Sequence, residues 1–286
     1  KPLVCLQGFY DREDLKLAYL HKLELVIHNE EQIALLEKLR LSFPCLWLKF
    51  DTGMNRLGFM QNEIEKMMDR LRPFSNKIVL MTHLKSSSGK KMSKLITNNQ
   101  FKLFTKTSSN LKQKNHNFLT SVSNSGGILN FENLSSDIER PGLSLYGSHY
   151  QCKAKTFKLK NVTTLVSKII AIKEIKKGHT VGYDGLWKAK KNTLIGIIPI
   201  GYSDGIPLNY GNKGYVLINK VKAQVIGRVA MDMMAVELPN LSTEVGEEII
   251  LWGKDLKVDD LSLLTDNIPY SFMTSLSKRV TRKYIK

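Results

Sequence analysis

From its first residue to about Tyr146 the chain repeats one unit, a short apolar run followed by a polar or helical stretch. This is the sequence mark of strands and helices alternating around a parallel sheet. Six runs are found, at 3–6, 23–27, 45–50, 78–81, 118–122, and a last one through Ile138 with 143–146. Between them, 30–39 gathers Ile33, Leu35, Leu36 and Leu39 into a partly apolar helical face, and 63–71 is a second helix-like stretch. The expected fold is α/β, a (β/α)8 barrel of the TIM type. A closed barrel needs eight parallel strands, and six leave unpaired backbone groups on both edges. The first two βα units are therefore expected to lie before Lys1, in a piece on the order of 60 to 80 residues.

After about Gln151 the texture changes to closely spaced β-rich runs at 162–172, 193–200, 215–218, 223–229, 233–238 and 247–252. Gly178, Gly182, Gly201, Gly211, Gly214, Gly227 and Gly246 punctuate them. Short strands between glycine turns predict a small antiparallel barrel or sandwich, followed by a short helix at 258–265. Two domains are expected, a β/α barrel at 1–150 and an all-β domain at 151–286, with the boundary near Gln151.

A chain of 286 residues with 42% hydrophobic content can bury a real core. No run of about 18 apolar residues appears, and the start Lys1-Pro2-Leu3 shows neither a signal peptide nor an initiator methionine. The chain reads as soluble and as beginning mid-protein, with no membrane partner. Cys5, Cys45 and Cys152 are odd in number and far apart, which suggests neither a disulfide framework nor a zinc site and fits a reducing cytoplasm. The net charge of +17 is compatible with a nucleic-acid surface. However, the lysine-heavy stretches at 153–160 and 188–191 lack interleaved aromatics, so a solvated basic face is expected instead.

In a β/α barrel the chemistry sits at the C-terminal ends of strands. The third run ends in Lys49-Phe50-Asp51-Thr52-Gly53-Met54-Asn55-Arg56-Leu57-Gly58, where Arg56 suits a substrate carboxylate, although an isolated arginine there more often reads as a surface residue in a turn. The fourth ends in Thr82-His83-Leu84; a lone histidine is usually structural, and no second ligand stands at metal spacing. Ser123-Asn124-Ser125-Gly126-Gly127 and Arg140-Pro141-Gly142-Leu143 would follow barrel strands seven and eight, where loops commonly form a phosphate site. In the β-rich half, Tyr183 and Tyr202 stand in glycine-rich turns near Gly227-Arg228-Val229-Ala230-Met231-Asp232. Each tyrosine taken singly reads as a packing residue.

The series K-F-D-T-G-M-N-R-L-G, T-H, N-S-G-G, R-P-G-L-S-L-Y-G, V-G-Y, I-G-Y-S-D-G and G-R-V-A-M-D resembles alanine racemase in order and separation from about Val4 to Lys283. The resemblance implies an isomerase with pyridoxal 5'-phosphate as cofactor, a homodimer with shared active sites, and a two-base racemisation of alanine. D-Alanine for peptidoglycan would be the product. It makes Tyr183 the base contributed by the partner subunit. His83 and Arg140 would meet the cofactor ring, while Ser125, Gly142 and Leu143 would meet its phosphate. Arg56 and the backbone at Met231 would receive the substrate carboxylate, with Lys49, carbamylated in several members, steadying the arginine. Tyr202 and Asp232 would line a narrow access corridor for small amino acids. A tyrosine hydroxyl ordinarily titrates near about 10, so a tyrosine base needs positive charge or donors nearby.

Three departures stand out. The cofactor-bonding lysine of a K-A-N-A-Y-G-H-G-like motif is absent, Lys278 replaces a tyrosine of some members, and Leu84-Lys85-Ser86-Ser87 replaces a more acidic stretch. Without that lysine these residues alone are not expected to racemise alanine usefully. The alternatives are a non-catalytic remnant or binding protein of the same fold and, outside the family, a basic nucleic-acid binder.

Overall fold

The computed structural model describes residues 1–149, 158–239 and 242–285. The expected boundary near Gln151, Cys152 and most of the 153–160 lysine stretch lie outside the described residues. Two compact units are formed, the first being Lys1–Gly142 and the second the described residues after Gly142.

In the first unit the strands β1 (Val4–Cys5), β2 (Glu24–Ile27), β3 (Leu46–Lys49), β4 (Ile78–Met81) and β5 (Leu119–Ser121) pair in chain order, every neighbour parallel. Helices α1 (Arg12–Leu20), α2 (Glu30–Leu39), α3 (Ile64–Leu71) and α4 (Lys91–Gln113) make the crossovers, and α5 (Ser125–Asn130) follows β5. Capping fixes where two of them start: Asp11 accepts from the Asp14 N–H and Asn29 from the Gln32 N–H, each at 2.9 Å. Strands β2, β3 and β4 are buried on both faces, as in a β/α barrel. Leu25, Ile27, Leu46, Leu48, Phe50, Ile78 and Leu80 pack with Leu15, Ile33, Leu36, Met68 and Phe104 from the helices. The alternate residues Val26, Cys45, Trp47, Val79 and Met81 form a separate cluster on the opposite face.

The sixth run is not a strand. Ile138 and Arg140 donate to Thr120 and Ser123 carbonyls at 3.0 Å, but only one bridge, Asn124 with Arg140, forms there. Side chains replace the ladder: the Thr120 N–H donates to the Asp137 carboxylate at 2.7 Å and the Val122 N–H to Ser136 Oγ at 3.1 Å. Pro141, which has no N–H, ends the pairing. Residues 143–146 form a 3-10 turn, Leu143–Tyr146, with Leu145 and Tyr146 exposed.

The second unit is the all-β domain with two short helices. Its main sheet is antiparallel and contains β6 (Leu165–Lys168), β7 (Ala171–Ile175), β10 (Thr193–Ile198), β11 (Tyr215–Ile218), β12 (Val221–Ile226), β13 (Met234–Glu237) and β14 (Glu248–Trp252). The order is β6-β14-β11-β12-β13-β10-β7. Two residues separate β6 from β7 in the chain, yet they occupy opposite ends of that order, which closes the sheet on itself. At the crossing the Ile169 N–H donates to Glu247 on one side and the Ile170 N–H to Ile197 on the other. The single expected run at 162–172 is thus two strands serving both ends of a barrel. Ile198, Val216, Val225, Val236, Ile249 and Leu251 fill the core with Trp252 and Phe272, whose rings meet edge to face at 5.5 Å. Helix α6 (Val258–Leu264) matches the expected helix within a residue, and α7 (Pro269–Thr274) supplies Phe272. A two-stranded hairpin, β8 (Thr180–Val181) with β9 (Trp187–Lys188), projects between β7 and β10 in the chain.

Candidate active site

In the first unit, polar chemistry gathers where the strands end. Lys49 closes β3 on the same alternation as Cys45 and Trp47 and is buried. The chain then folds back, with the Phe59 N–H on the Lys49 carbonyl and the Asp51 N–H on the Phe59 carbonyl, both at 2.9 Å. Gly58 permits this return: its φ is +122°, and a Cβ there would lie 2.8 Å from the Lys49 carbonyl oxygen. Inside the loop the Asp51 carboxylate accepts from the backbone N–H groups of Gly53 at 2.8 Å and Asn55 at 3.1 Å. Arg56 follows, exposed.

His83, partly buried, follows β4. Burial pushes its imidazole down to about 4, aided by the positive charges of Arg140, Arg56 and Lys49. The Lys49 ammonium is held below its usual range by burial, then by Arg56 and Arg140, with Asp51 opposing. Arg140 donates to Ser121 Oγ and to the carbonyls of Thr82 and Val122, so its guanidinium ties the ends of β4 and β5. Burial lowers it to about 10, against the carboxylate of Glu139. Ser125 Oγ accepts from the Gly142 N–H at 2.8 Å, joining the two loops expected to receive a phosphate. Asn124 caps α5 by accepting from the Gly127 N–H at 3.0 Å.

Lys49, Arg56 and Arg140 act electrostatically on the neutral His83 imidazole, which places three cations around one ring, and Ser125 pairs with Gly142. Leu143 opens the 3-10 turn of the second unit. Missing from the sequence reading were the Thr52 and Thr82 hydroxyls, 2.7 Å apart, and the buried Gln100 amide, which reaches Thr52 Oγ1 and the His83 carbonyl at 3.1 Å. No motif marks Gln100, since an amide in a polar helix normally reads as a solvent-facing residue.

In the second unit the β8–β9 hairpin carries Tyr183 at its tip, 67% exposed. Gly182, at φ +76°, turns the chain into the tip, and Asp184 pairs with Arg228 at 2.8 Å. A second turn, Tyr202–Asp204, lies against the 230–231 backbone: the Tyr202 N–H donates to Ala230 at 3.0 Å and the Ser203 N–H to Met231 at 2.9 Å. A Cβ on Gly201 would lie 2.3 Å from the Ala230 carbonyl oxygen, so only glycine allows this approach. The buried Asp204 accepts from the Gly201 N–H at 3.0 Å and pairs with Arg279 at 3.1 Å. Tyr183, Tyr202 and Met231 line one cavity of about 810 Å³ together with Asp184 and Arg228. Asp232, next along the chain, is exposed.

Two family profiles match, "Alanine racemase, N-terminal domain" over residues 1–150 and "Alanine racemase, C-terminal domain" over residues 162–284. An alanine racemase of Pasteurella multocida is 36% identical over 291 residues, covering 100% of this chain and 79% of that protein. Among solved structures, the biosynthetic alanine racemase of Pseudomonas aeruginosa superposes with a TM-score of 0.89 at 30% identity, over 100% of this chain and 79% of that one. The alanine racemase of Bartonella henselae, solved with covalently bound pyridoxal phosphate, gives a TM-score of 0.85 at 26% identity, over 99% and 79%. The chain belongs to the alanine racemase family.

Proposed function

We propose that this protein interconverts L-alanine and D-alanine with pyridoxal 5'-phosphate, as a homodimer whose sites each combine the strand-end cluster of one subunit with Tyr183 of the other. The observation that carries the reading is the cationic cluster of Lys49, Arg56 and Arg140 around His83. Burial, and then the neighbouring positive charges, lower Lys49 and His83, and the Asp51 carboxylate is committed to backbone N–H groups. An anionic ligand fits that donor set, because phosphate and carboxylate groups would offset charges that now repel one another.

Ser125, Gly142 and Leu143 would hold the cofactor phosphate, while His83 and Arg140 would face its ring. When bound, the cofactor supplies an electron sink for negative charge developing at the substrate α-carbon. Arg56 and the Met231 backbone N–H would receive the alanine carboxylate, and a carbamylated, anionic Lys49 would steady Arg56, which the free ammonium repels. The Tyr183 hydroxyl oxygen takes and returns the α-proton on one face. The opposite base belongs to a lysine motif that these 286 residues do not contain. Tyr202 and Asp232 narrow the access corridor, which favours small amino acids over large ones. The division into a cofactor-binding part, 1–150, and a β part, 151–286, belongs to the same reading. So do a cytoplasmic location and a role in supplying D-alanine for peptidoglycan. No helix among the described residues is long and apolar enough to cross a membrane.

The test adds pyridoxal phosphate to the purified protein, follows binding by visible absorbance, and follows alanine racemisation by circular dichroism. Saturable binding is expected, and turnover is expected of the protein that also carries the lysine motif. Absence of both cofactor binding and racemisation would sink the proposal.

A further inference from the structure

Buried polar side chains on a helix need partners, and α4 carries Ser93, Thr97 and Gln100 in spacings of four and three that put them on one side. All three reach the loop that follows β4. Ser93 Oγ donates to the Ser86 carbonyl at 2.7 Å and accepts from the Ser88 N–H at 2.9 Å, and Thr97 Oγ1 donates to the same carbonyl. Gln100 does more. Its Oε1 accepts from the Lys85 N–H at 3.0 Å, while its Nε2 donates to the His83 carbonyl and to Thr52 Oγ1, both at 3.1 Å.

A planar amide has two N–H donors and one oxygen, and each finds a partner here, so the orientation of Gln100 is fixed. Thr52 extends the connection, since its hydroxyl also bonds Thr82 Oγ1 at 2.7 Å. One side chain thereby joins the loop carrying Arg56 to the loop carrying His83. Farther along the helix the buried positions include Phe104 and Leu111, which pack against the core in the ordinary way. An amide is costly at such a depth unless fully bonded, and once bonded it selects a single geometry.

We propose that Gln100 is a positioning residue that fixes the His83 loop and the Arg56 loop relative to each other, and so sets how the cationic cluster receives its cofactor. The proposal rests on the cofactor reading above. Gln100 itself touches neither cofactor nor substrate.

The test uses three variants of the whole protein. Gln100→Met keeps the length and most of the volume while removing both donors and the amide oxygen. Gln100→Glu keeps an acceptor for the Lys85 N–H but loses the donor to the His83 carbonyl. Thr97→Val loses only the bond to Ser86. Readouts are the ring resonances of His83 in histidine-labelled protein without added cofactor, the Kd for pyridoxal phosphate from absorbance, and kcat and KM for alanine. Gln100→Met should displace the His83 resonances, weaken cofactor binding about tenfold and lower kcat more than it raises KM. Gln100→Glu should fall between it and wild type, and it decides the question if Gln100→Met does not fold. Thr97→Val should stay within about twofold of wild type in every readout at a comparable loss of Tm. The idea is overturned if Gln100→Met leaves resonances and affinity unchanged, or if Thr97→Val reproduces its effects. Should wild type itself not bind the cofactor, the cofactor reading fails, and the His83 resonances still report whether Gln100 positions that loop.

Discussion

Tyr183 sits at a hairpin tip with 67% of its surface exposed, so removing its hydroxyl takes away chemistry without opening a core. Tyr183→Phe should lower kcat for alanine racemisation by about 10²–10⁴-fold while Tm stays within a degree or two, on the order expected for a lost acid–base group. Circular dichroism of the substrate and a thermal melt measure the two quantities; a variant with near-normal kcat would remove the tyrosine from the mechanism. His83 behaves in the opposite way, being held inside by its surroundings. Burial and three neighbouring cations lower it to about 4, below the ordinary histidine value of about 6.5. The folded protein therefore binds fewer protons than the unfolded chain between those values. The resulting stability is fully present above about 6.5 and is lost as pH falls through about 4. The loss is at most about 3 kcal/mol, and less where solvent reaches the ring. Urea unfolding at pH 7.5 and pH 5 should show wild type losing more stability than His83→Gln, which has no proton to gain. Equal losses would mean that the ring titrates normally.

Strand ends and loops show where sequence patterns carry information and where they do not. The apolar runs at 23–27, 45–50 and 78–81 lie where β2, β3 and β4 form, because strands buried on both faces need unbroken apolar sequence. His83 stands just past its run, whereas Lys49 lies within the run at 45–50 and only the family resemblance singles it out. The run through Ile138 misled, because apolar content does not reveal that Asp137 and Ser136 side chains satisfy β5 in place of a strand backbone. The β8–β9 hairpin, two residues a side, is too short for a period to register. Gln100 was invisible because its partners lie 15 to 48 residues away in sequence. The β3 loop gives the prediction at this scale. Gly58→Ala places a Cβ 2.8 Å from the Lys49 carbonyl oxygen and 2.9 Å from the Asp51 nitrogen at φ +122°, where only glycine is at ease. A loss of about 1–3 kcal/mol in urea unfolding is expected, with a raised KM for alanine because that loop carries Arg56. Unchanged stability would show that the loop adopts another path.

For the whole molecule the decisive question is whether one site draws on two chains. Tyr183 lies in the second unit and Arg56 in the first. In the proposed homodimer a Tyr183→Phe chain keeps an intact strand-end cluster, and an Arg56→Ala chain keeps an intact tyrosine. Each homodimer carries the same defect in both sites, so each should be nearly inactive. A mixed dimer is different. One of its sites combines the intact cluster of the first variant with the intact tyrosine of the second, while the other site holds both defects. Random exchange makes about half of the dimers mixed, each with one working site, so unfolding and refolding the variants together should restore about a quarter of wild-type activity. If every site were built within a single chain, no mixture could contain an intact one, and activity would stay at the level of the separate variants. Measured racemisation after co-refolding, with each variant refolded alone beside it, separates the two arrangements through a gain of function, which misfolding cannot imitate.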